Sequence, residues 1–399
     1  MIEILFWAFV GPAVLLAMFS IRSGRNLLDH VETEILGEPD PDEAAYQPPA
    51  TLILPVRGVD HDLAQNLRSL ARQNYPDYEF VIVSRESDDP AITLARLTLG
   101  DRAKFVAAGA PPADRGEKIH NLLAAVAAAR PESEVFAFAD SDGQVTPAWM
   151  ANLVQPLGDK KIGASTGFRW YFPEEGDFWS LLRSVWDSTI VSRLGADNRK
   201  NFAWGGAMAI RRETFEAARV AQYWHSSISD DYRLTDAVHA AKLGVHFTPR
   251  AMVAAPGETG RWEFLDWATR QMVITKVYRR GLWTVGLAAH VIYCGAIIAC
   301  LLMLLTGNLL GLGGLIVITI PGMAQGASRG HAGTRMFPDR QEWFERHSPI
   351  YFWMTPLATW IWLYAFLASS ATNRIRWRDY EYELIAPDKT RRLAGPKAE

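Results

Sequence analysis

Four apolar stretches constrain this chain more than anything else in it: Ile2 to Ile21, Val285 to Thr306, Leu309 to Ser328 and Ile350 to Ala371. Each approaches the ~20 residues a helix needs to cross a hydrocarbon layer. The expected division is a membrane anchor at 1–22, a linker at 23–49, a soluble α/β domain at 50–283, a membrane region at 284–372 and a polar tail at 373–399. The first stretch opens with Glu3 in place of a basic region and shows no small-residue cleavage site, so it reads as a retained anchor. Arg22 and Arg25 follow it directly, and the positive-inside rule then puts residues 22–283 in the cytoplasm. Four crossings leave the tail outside, whereas Arg374, Arg376, Arg378, Lys389, Arg391 and Arg392 favour the inside. That conflict is open at the level of sequence. The third stretch, glycine-rich and carrying Pro321, is either spanning or re-entrant.

Aromatic residues gather at the expected membrane edges as an interfacial belt: Trp262, Trp267, Tyr278 and Trp283 before the second stretch, Trp343, Tyr351 and Trp353 around the start of the last. His290, alone in an uncharged run, reads as a neutral histidine bonded to a neighbouring helix. Cys294 and Cys300 stand six apart in one apolar run, about 9 Å along a helix and on different faces, so no disulfide is expected. Lys plus Arg (41) nearly balances Asp plus Glu (44), which excludes the strongly basic field of a nucleic-acid binder.

Residues 30–49 carry an acidic, proline-bearing stretch. Beyond it, short buried-type apolar runs alternate with helical patterns: strands at Thr51 to Val56, Glu79 to Ser84, Lys104 to Ala107 and Val135 to Ala139, helices at Asp62 to Gln73, Ala91 to Leu99, Glu117 to Ala129 and Pro147 to Gln155. This alternation predicts a mostly parallel sheet with helices on both faces. Ligands bind such sheets beyond the carboxyl ends of the strands, so chemistry is sought there.

The strand Val135 to Ala139 ends in Asp140-Ser141-Asp142-Gly143. Residues i and i+2 of an extended segment share a face, so Asp140 and Asp142 can converge on one hard cation, Mg²⁺ or Mn²⁺, whose other ligands are diphosphate oxygens. A solvated turn is the plain alternative. After the second strand, Asp88 and Asp89 offer acceptors for a uracil or ribose, or else Ser87 or Asp88 caps the helix ahead of Pro90. Pro55 and Arg57, at the end of the first strand, join the expected donor-binding residues. So do Lys118 and Asn121, which open a helix where a cation and free amides can meet phosphate.

A third acidic cluster, Ser229-Asp230-Asp231, starts a helical run that closes at Gly244. Displacing a diphosphate from a sugar needs a base to take the proton of the attacking hydroxyl. Asp231 is assigned that role, with Asp230 as competitor and helix capping as the bland reading. Gly205 and Gly206 precede an apolar strand and either admit a ligand closely or form a simple turn. Phe178 to Ile190 makes an amphipathic helix that lies either in the membrane interface or in a core.

Taken together, these residues resemble membrane-bound family 2-type glycosyltransferases, and within them the ceramide glucosyltransferase-like branch with its hopanoid-associated bacterial relatives. The resemblance covers nearly the whole chain: Asp88 to Ala91, Lys118-x-x-Asn121-Leu122, Asp140-Ser141-Asp142, Gly205 through Arg212, Ser229 to Asp231, and the tail Asn373-Arg374-Ile375-x-Trp377-Arg378. It implies a GT-A (Rossmann-like, mostly parallel) domain with one N-terminal and two to three C-terminal transmembrane helices, in a bacterial inner membrane. It also implies a UDP-sugar donor, a Mg²⁺ or Mn²⁺ ion, inversion at the anomeric carbon and a membrane-lipid acceptor such as a ceramide-like hydroxyl. Where the family carries Gln/Arg-x-x-Arg-Trp, this chain has Trp267-Ala268-Thr269-Arg270-Gln271, which keeps the central arginine as a diphosphate contact. Two other functions fit the same architecture: a processive polysaccharide synthase, which needs a polymer channel, and a non-catalytic membrane scaffold with a degenerate domain.

Overall fold

The computed structural model describes residues 2–37 and 45–395. It divides into two compact units: residues 33–172, 194–257 and 376 onward form one, and residues up to 32, 173–193 and 258–375 form the other.

The first unit is built on seven strands. In chain order the strands of the protein are β1 Ala50–Pro55, β2 Tyr78–Ser84, β3 Lys104–Ala107, β4 Val135–Ala139, β5 Ile162–Thr166, β6 Arg169–Tyr171, β7 Ala207–Arg211, β8 Gly244–Phe247, β9 Val253–Ala255, β10 Arg374–Trp377, β11 Tyr380–Ala386 and β12 Lys389–Ala394. The large sheet runs β3-β2-β1-β4-β7-β5-β8. β3, β2, β1 and β4 are parallel, as are β5 and β8, while β7 is antiparallel to both of its neighbours. The chain steps from β1 outward to β3 and then returns to the other side of β1 with β4. The crevice beyond the ends of β1 and β4 is therefore the topological switch point, where such sheets bind ligands.

These strands form because their side chains are apolar on both faces. β4, Val-Phe-Ala-Phe-Ala, is buried at every residue, as is β7. Phe136 and Phe138 pack edge-on against Phe215 and Trp224, beside Ile53, Val81, Leu122, Met208 and Leu234. Burying side chains of this size contributes about 1.5–3 kcal/mol each, an upper range because unfolded chains already hide part of that surface.

Element ends differ from expectation for local reasons. The helix expected from Asp62 to Gln73 spans Leu63–Leu70, since Asp62 adopts a left-handed backbone (φ 57°) that no helix interior accepts. Gln73 folds back so that its amide group donates to the Ser69 and Thr146 carbonyls. The helix expected from Pro147 starts at Trp149.

The second unit is helical. Among the described residues, three helices are long and apolar enough to cross a membrane: Ile2–Leu36, Arg280–Leu305 and Leu310–Met336. The first runs 35 residues, so residues 23–36, expected as linker, continue the helix; residues 38–44 of that acidic stretch lie outside the described residues. Pro321 sits inside an unbroken 27-residue helix, roughly 40 Å long, which excludes the re-entrant alternative for that stretch. The fourth stretch forms helices Pro349–Trp353 and Thr355–Ser370, interrupted at Met354; the longer has 16 residues, roughly 24 Å.

Where the long helices meet, Phe6, Val10 and Ala13 pack with Ala296, Ile297, Cys300 and Ile318. A methyl group on Gly311 would stand 2.3 Å from the Cys300 carbonyl oxygen; small residues of this kind let membrane helices approach closely. Both cysteines are buried and free. His290 differs from expectation, its ring nitrogen meeting the Gly286 carbonyl of its own helix at 2.7 Å. The helix Phe178–Val191 is a packed one: Trp186 is fully buried and stacks on Trp362 with ring centres 4.0 Å apart. Within the aromatic belt, Trp262 and Trp353 are exposed, but Tyr278 and Tyr351 are buried packing residues.

Candidate active site

The site begins at the carboxyl end of β4, where the last core residue, Ala139, hands over to Asp140. Asp140 Oδ1 lies 2.8 Å from the Lys118 ammonium, and Asp230 Oδ2 lies 3.1 Å from the same nitrogen. Lys118 projects from the first turn of the helix Glu117–Ala128, and Asp230 opens the helix Asp230–Ala240. One cation thus draws together two acidic segments ninety residues apart in the sequence.

Electrostatics follow from this geometry. Burial alone would lower the Lys118 ammonium, but the Asp140 and Asp230 carboxylates outweigh it and hold it well above its ordinary range. Burial lifts the Asp230 carboxyl to about 6, against the pull of Lys118 and with Asp231 and Asp140 adding to the rise. Lys118 therefore arrives already shared between two anions. The Gly116 amide donates to the Ser227 carbonyl and the Glu117 amide to the Tyr382 hydroxyl, so these two amides are not available to a phosphate, contrary to the expectation for this helix start.

Gly205 and Gly206 make the convergence possible. A methyl group on Gly205 would sit 2.2 Å from Asp230 Oδ2 and 2.9 Å from Lys118 Nζ, and one on Gly206 would sit 2.8 Å from Asp140 Oδ2. The close approach these glycines permit is to the protein's own carboxylates. Gly205→Ala is expected to cost roughly 1–3 kcal/mol by overpacking and to push Asp230 off Lys118. A thermal melt and a transfer assay check this; wild-type melting and rate in the variant would contradict it.

Asp142 is exposed at the rim. Its carboxyl is held above the usual range by loss of water and by Asp140 beside it, with Arg169 opposing. For an exposed residue the like charge of Asp140 is the dependable part of that rise. No cluster of three or more His, Cys, Asp or Glu side chains suited to a metal occurs among the described residues, so protein atoms alone do not cage an ion. Two neighbouring carboxylates, one exposed and burdened by like charge, do suit Mg²⁺ or Mn²⁺, which binds through one or two carboxylates while substrate phosphates complete its shell.

Asp231 is half-buried beside this group. One of its oxygens accepts from the Ser229 hydroxyl and, at 2.7 Å, from the Tyr232 amide. Asn121 is buried, one turn along from Lys118, and its Oδ1 has no hydrogen-bond partner.

The second-strand cluster is corrected. Asp89 is buried and accepts from the Ala91 and Gly58 amides at 2.9 and 3.0 Å and from the Ser84 hydroxyl at 3.0 Å, with Arg57 3.4 Å away. A carboxylate offers about four acceptor positions, so Asp89 is spent on capping the helix Pro90–Leu99 and fixing the turn after β1. Neither Ser87 nor Asp88 is the cap. Asp88 is exposed. Pro55 closes β1 opposite Val83, and Arg57 stands among carboxylates, 3.7 Å from Glu117 and 2.7 Å from Asp379. Burial raises the Glu117 carboxyl, with Arg57 and Arg85 opposing. Arg270 is half-buried on the helix Arg261–Tyr278, within the helical unit.

Two residues of this rim escaped the sequence reading. Asp60 accepts from the Ser141 hydroxyl at 2.5 Å, and Asn66 donates to the Ser141 carbonyl at 2.9 Å. Together they clamp the residue between Asp140 and Asp142.

The model of glycosyl transferase family 21 matches residues 6–389. The chain belongs to this family. It is a glycosyltransferase using nucleotide-sugar donors, as the resemblance implied. A mannosyltransferase from Pyrobaculum calidifontis, solved with GDP-Man and Mn²⁺, is 18% identical to this family 21 member, with 93% of this chain and 98% of that one covered at a TM-score of 0.54. At that identity the likeness carries the fold, which is GT-A-like. The structure of GalNAc-T7 with UDP, GalNAc and Mn²⁺ also matches, at 12% identity, 57% of this chain, 51% of that one and a TM-score of 0.41.

Proposed function

We propose that the protein transfers a hexose from a UDP-sugar to the hydroxyl of a membrane lipid, with inversion at the anomeric carbon, on the cytoplasmic face of a bacterial inner membrane. The observation that carries this is the single ammonium of Lys118 held by Asp140 and Asp230, because it brings the cation-binding segment and the acidic segment ending in Asp231 to one rim. The mannosyltransferase with GDP-Man and Mn²⁺ supports a donor of the nucleotide-sugar class with a divalent ion.

Asp142, with Asp140 beside it, would hold a divalent cation; when bound, that ion neutralises the departing diphosphate. Lys118 fixes the spacing of the two acidic segments. Asp231 presents its second oxygen to the acceptor hydroxyl and takes its proton as the oxygen attacks from the face opposite the leaving group. Asp230, buried and tied to Lys118, is less able to reach an acceptor. Asn121 supports the helix that carries Lys118.

The acceptor reading rests on the three apolar helices, which point to membrane association. The C-terminal residues from Arg376 pack on the α/β unit, with Arg57 bonded to Asp379 and the Arg392 amide donating to the Ala113 carbonyl at 2.8 Å. The tail then shares a side with the α/β unit, so the chain between them crosses an even number of times. Helices Arg280–Leu305 and Leu310–Met336 supply two crossings and the 16-residue helix adds none. This reconciles the basic tail with the positive-inside rule. A reporter fused after residue 399 should be sheltered from protease added outside intact cells; cleavage there would refute the arrangement.

Three long helices offer little for the continuous channel of a polysaccharide synthase. The deciding assay incubates the purified protein in detergent with a panel of UDP-sugars and extracted lipids, with and without Mn²⁺, and identifies products by mass spectrometry. A single-sugar glycolipid formed only with the ion is the expected product. Polymer of growing length points to a synthase, and no product from any donor to a scaffold.

A further inference from the structure

The three-stranded sheet β10-β11-β12 closes the chain, and the function above gives it no work. β11 alternates buried and part-exposed residues, with Tyr380, Tyr382 and Leu384 inward, as expected of a strand with one face covered. The residues beside that face bond to the donor rim. Arg57, after β1, bonds through two of its nitrogens to Asp379 at 2.7 and 3.1 Å. Arg85, after β2, donates to the Tyr380 hydroxyl at 2.7 Å, and the Glu117 amide to the Tyr382 hydroxyl at 3.2 Å.

A further contact reaches the cation-binding turn. Arg378 Nη2 lies 2.6 Å from Asp60 Oδ1, and the other oxygen of Asp60 accepts from the Ser141 hydroxyl at 2.5 Å. Asp60 therefore spans two partners that share no helix or strand: an arginine of the tail and the residue between Asp140 and Asp142. An unpaired carboxylate at this point would add a third negative charge beside those two; Arg378 offsets it and holds its orientation. Charge-assisted bonds of this type are shorter and stronger than neutral ones.

We propose that the C-terminal sheet is a wall of the donor site, with Arg378 and Asp60 as positioning residues that hold the Ser141 turn so that Asp140 and Asp142 present a fixed pair of carboxylates to the nucleotide's diphosphate and its divalent ion. This rests on the donor-site reading of the rim. Neither residue touches the reacting atoms. Their removal is expected to act on donor binding more than on the chemical step.

The test uses the full-length protein in detergent. Arg378→Ala should raise the donor KM by about fivefold and leave kcat within about twofold, as suits a half-exposed charge pair. Asp60→Asn, which loses the charged acceptor of two bonds, should raise it by about tenfold, and Arg378→Lys should recover most of the loss. A second readout needs no turnover: without metal or nucleotide, amide hydrogen exchange at residues 140–144 should quicken in Arg378→Ala. Unchanged donor KM and unchanged exchange in both Arg378→Ala and Asp60→Asn would overturn the proposal, and so would a lowered melting temperature with neither readout altered. If Asp60→Asn fails to fold, Arg378→Ala decides alone. The underlying reading fails separately: wild-type protein that binds no UDP in the presence of Mn²⁺ defeats the donor site, whereas UDP binding that is lost in Asp142→Asn yet indifferent to Arg378 and Asp60 defeats only the role given to the tail.

Discussion

Replacing Asp142 with Asn is expected to lower glycosyl transfer by roughly a thousandfold while the protein stays folded, the magnitude expected when a transition state loses its main charge stabilisation. The reason lies in how the rim distributes its charges. Asp140 already shares Lys118 with Asp230, which leaves Asp142 as the exposed carboxylate of the pair. The amide has the same shape but no charge, so a divalent ion loses a ligand and the departing diphosphate loses its neutralising partner. Stability should hold or rise, because the like-charge repulsion that raises the Asp142 carboxyl disappears with the charge. Steady-state kinetics over a Mn²⁺ titration, paired with a thermal melt, measures both. A variant with near-normal turnover removes Asp142 from the mechanism.

Asp231→Asn is the second large effect. A positioned base contributes about 10²–10⁴ in rate, and kcat should fall by that factor while the donor KM stays near wild type. One oxygen of Asp231 is held by Ser229 and the Tyr232 amide, an arrangement an asparagine oxygen can keep, so the helix start should survive at a cost of about 0.3–1 kcal/mol from the weakened dipole interaction. Asp230→Asn gives the contrast. Burial and the 3.1 Å ion pair mark Asp230 as a partner of Lys118, so its loss should disturb donor binding along with rate. Should Asp231→Asn turn over normally while Asp230→Asn is dead, the base is Asp230.

Much of the fold could be read from residue order because buried parallel strands are short apolar runs. β1 to β4 fall within a residue or two of where the runs predict them, and the acidic turn after β4 lies at the rim because every residue of that strand is buried. An apolar run carries no direction, so nothing in Ala207–Arg211 announced that β7 lies antiparallel between β4 and β5. The cap at Asp89 has its signal in the sequence: a residue directly before a proline at the first helical position is the natural cap. The interruption in the fourth apolar stretch is hidden from hydropathy, which averages over Pro356 in the first turn of the helix Thr355–Ser370. Asp60 and Arg378 left no local trace; they stand more than 300 residues apart in sequence, and only the folded chain shows that they meet.

The most direct test of the shared rim is Mn²⁺ binding followed by electron paramagnetic resonance, with and without UDP, in wild-type protein and Asp142→Asn. With only two protein carboxylates to offer, the wild type should hold the ion weakly alone and firmly once a diphosphate completes its shell, and Asp142→Asn should lose that UDP-dependent uptake. Uptake that ignores UDP, or that persists unchanged in Asp142→Asn, would contradict a cation shared between these carboxylates and the donor.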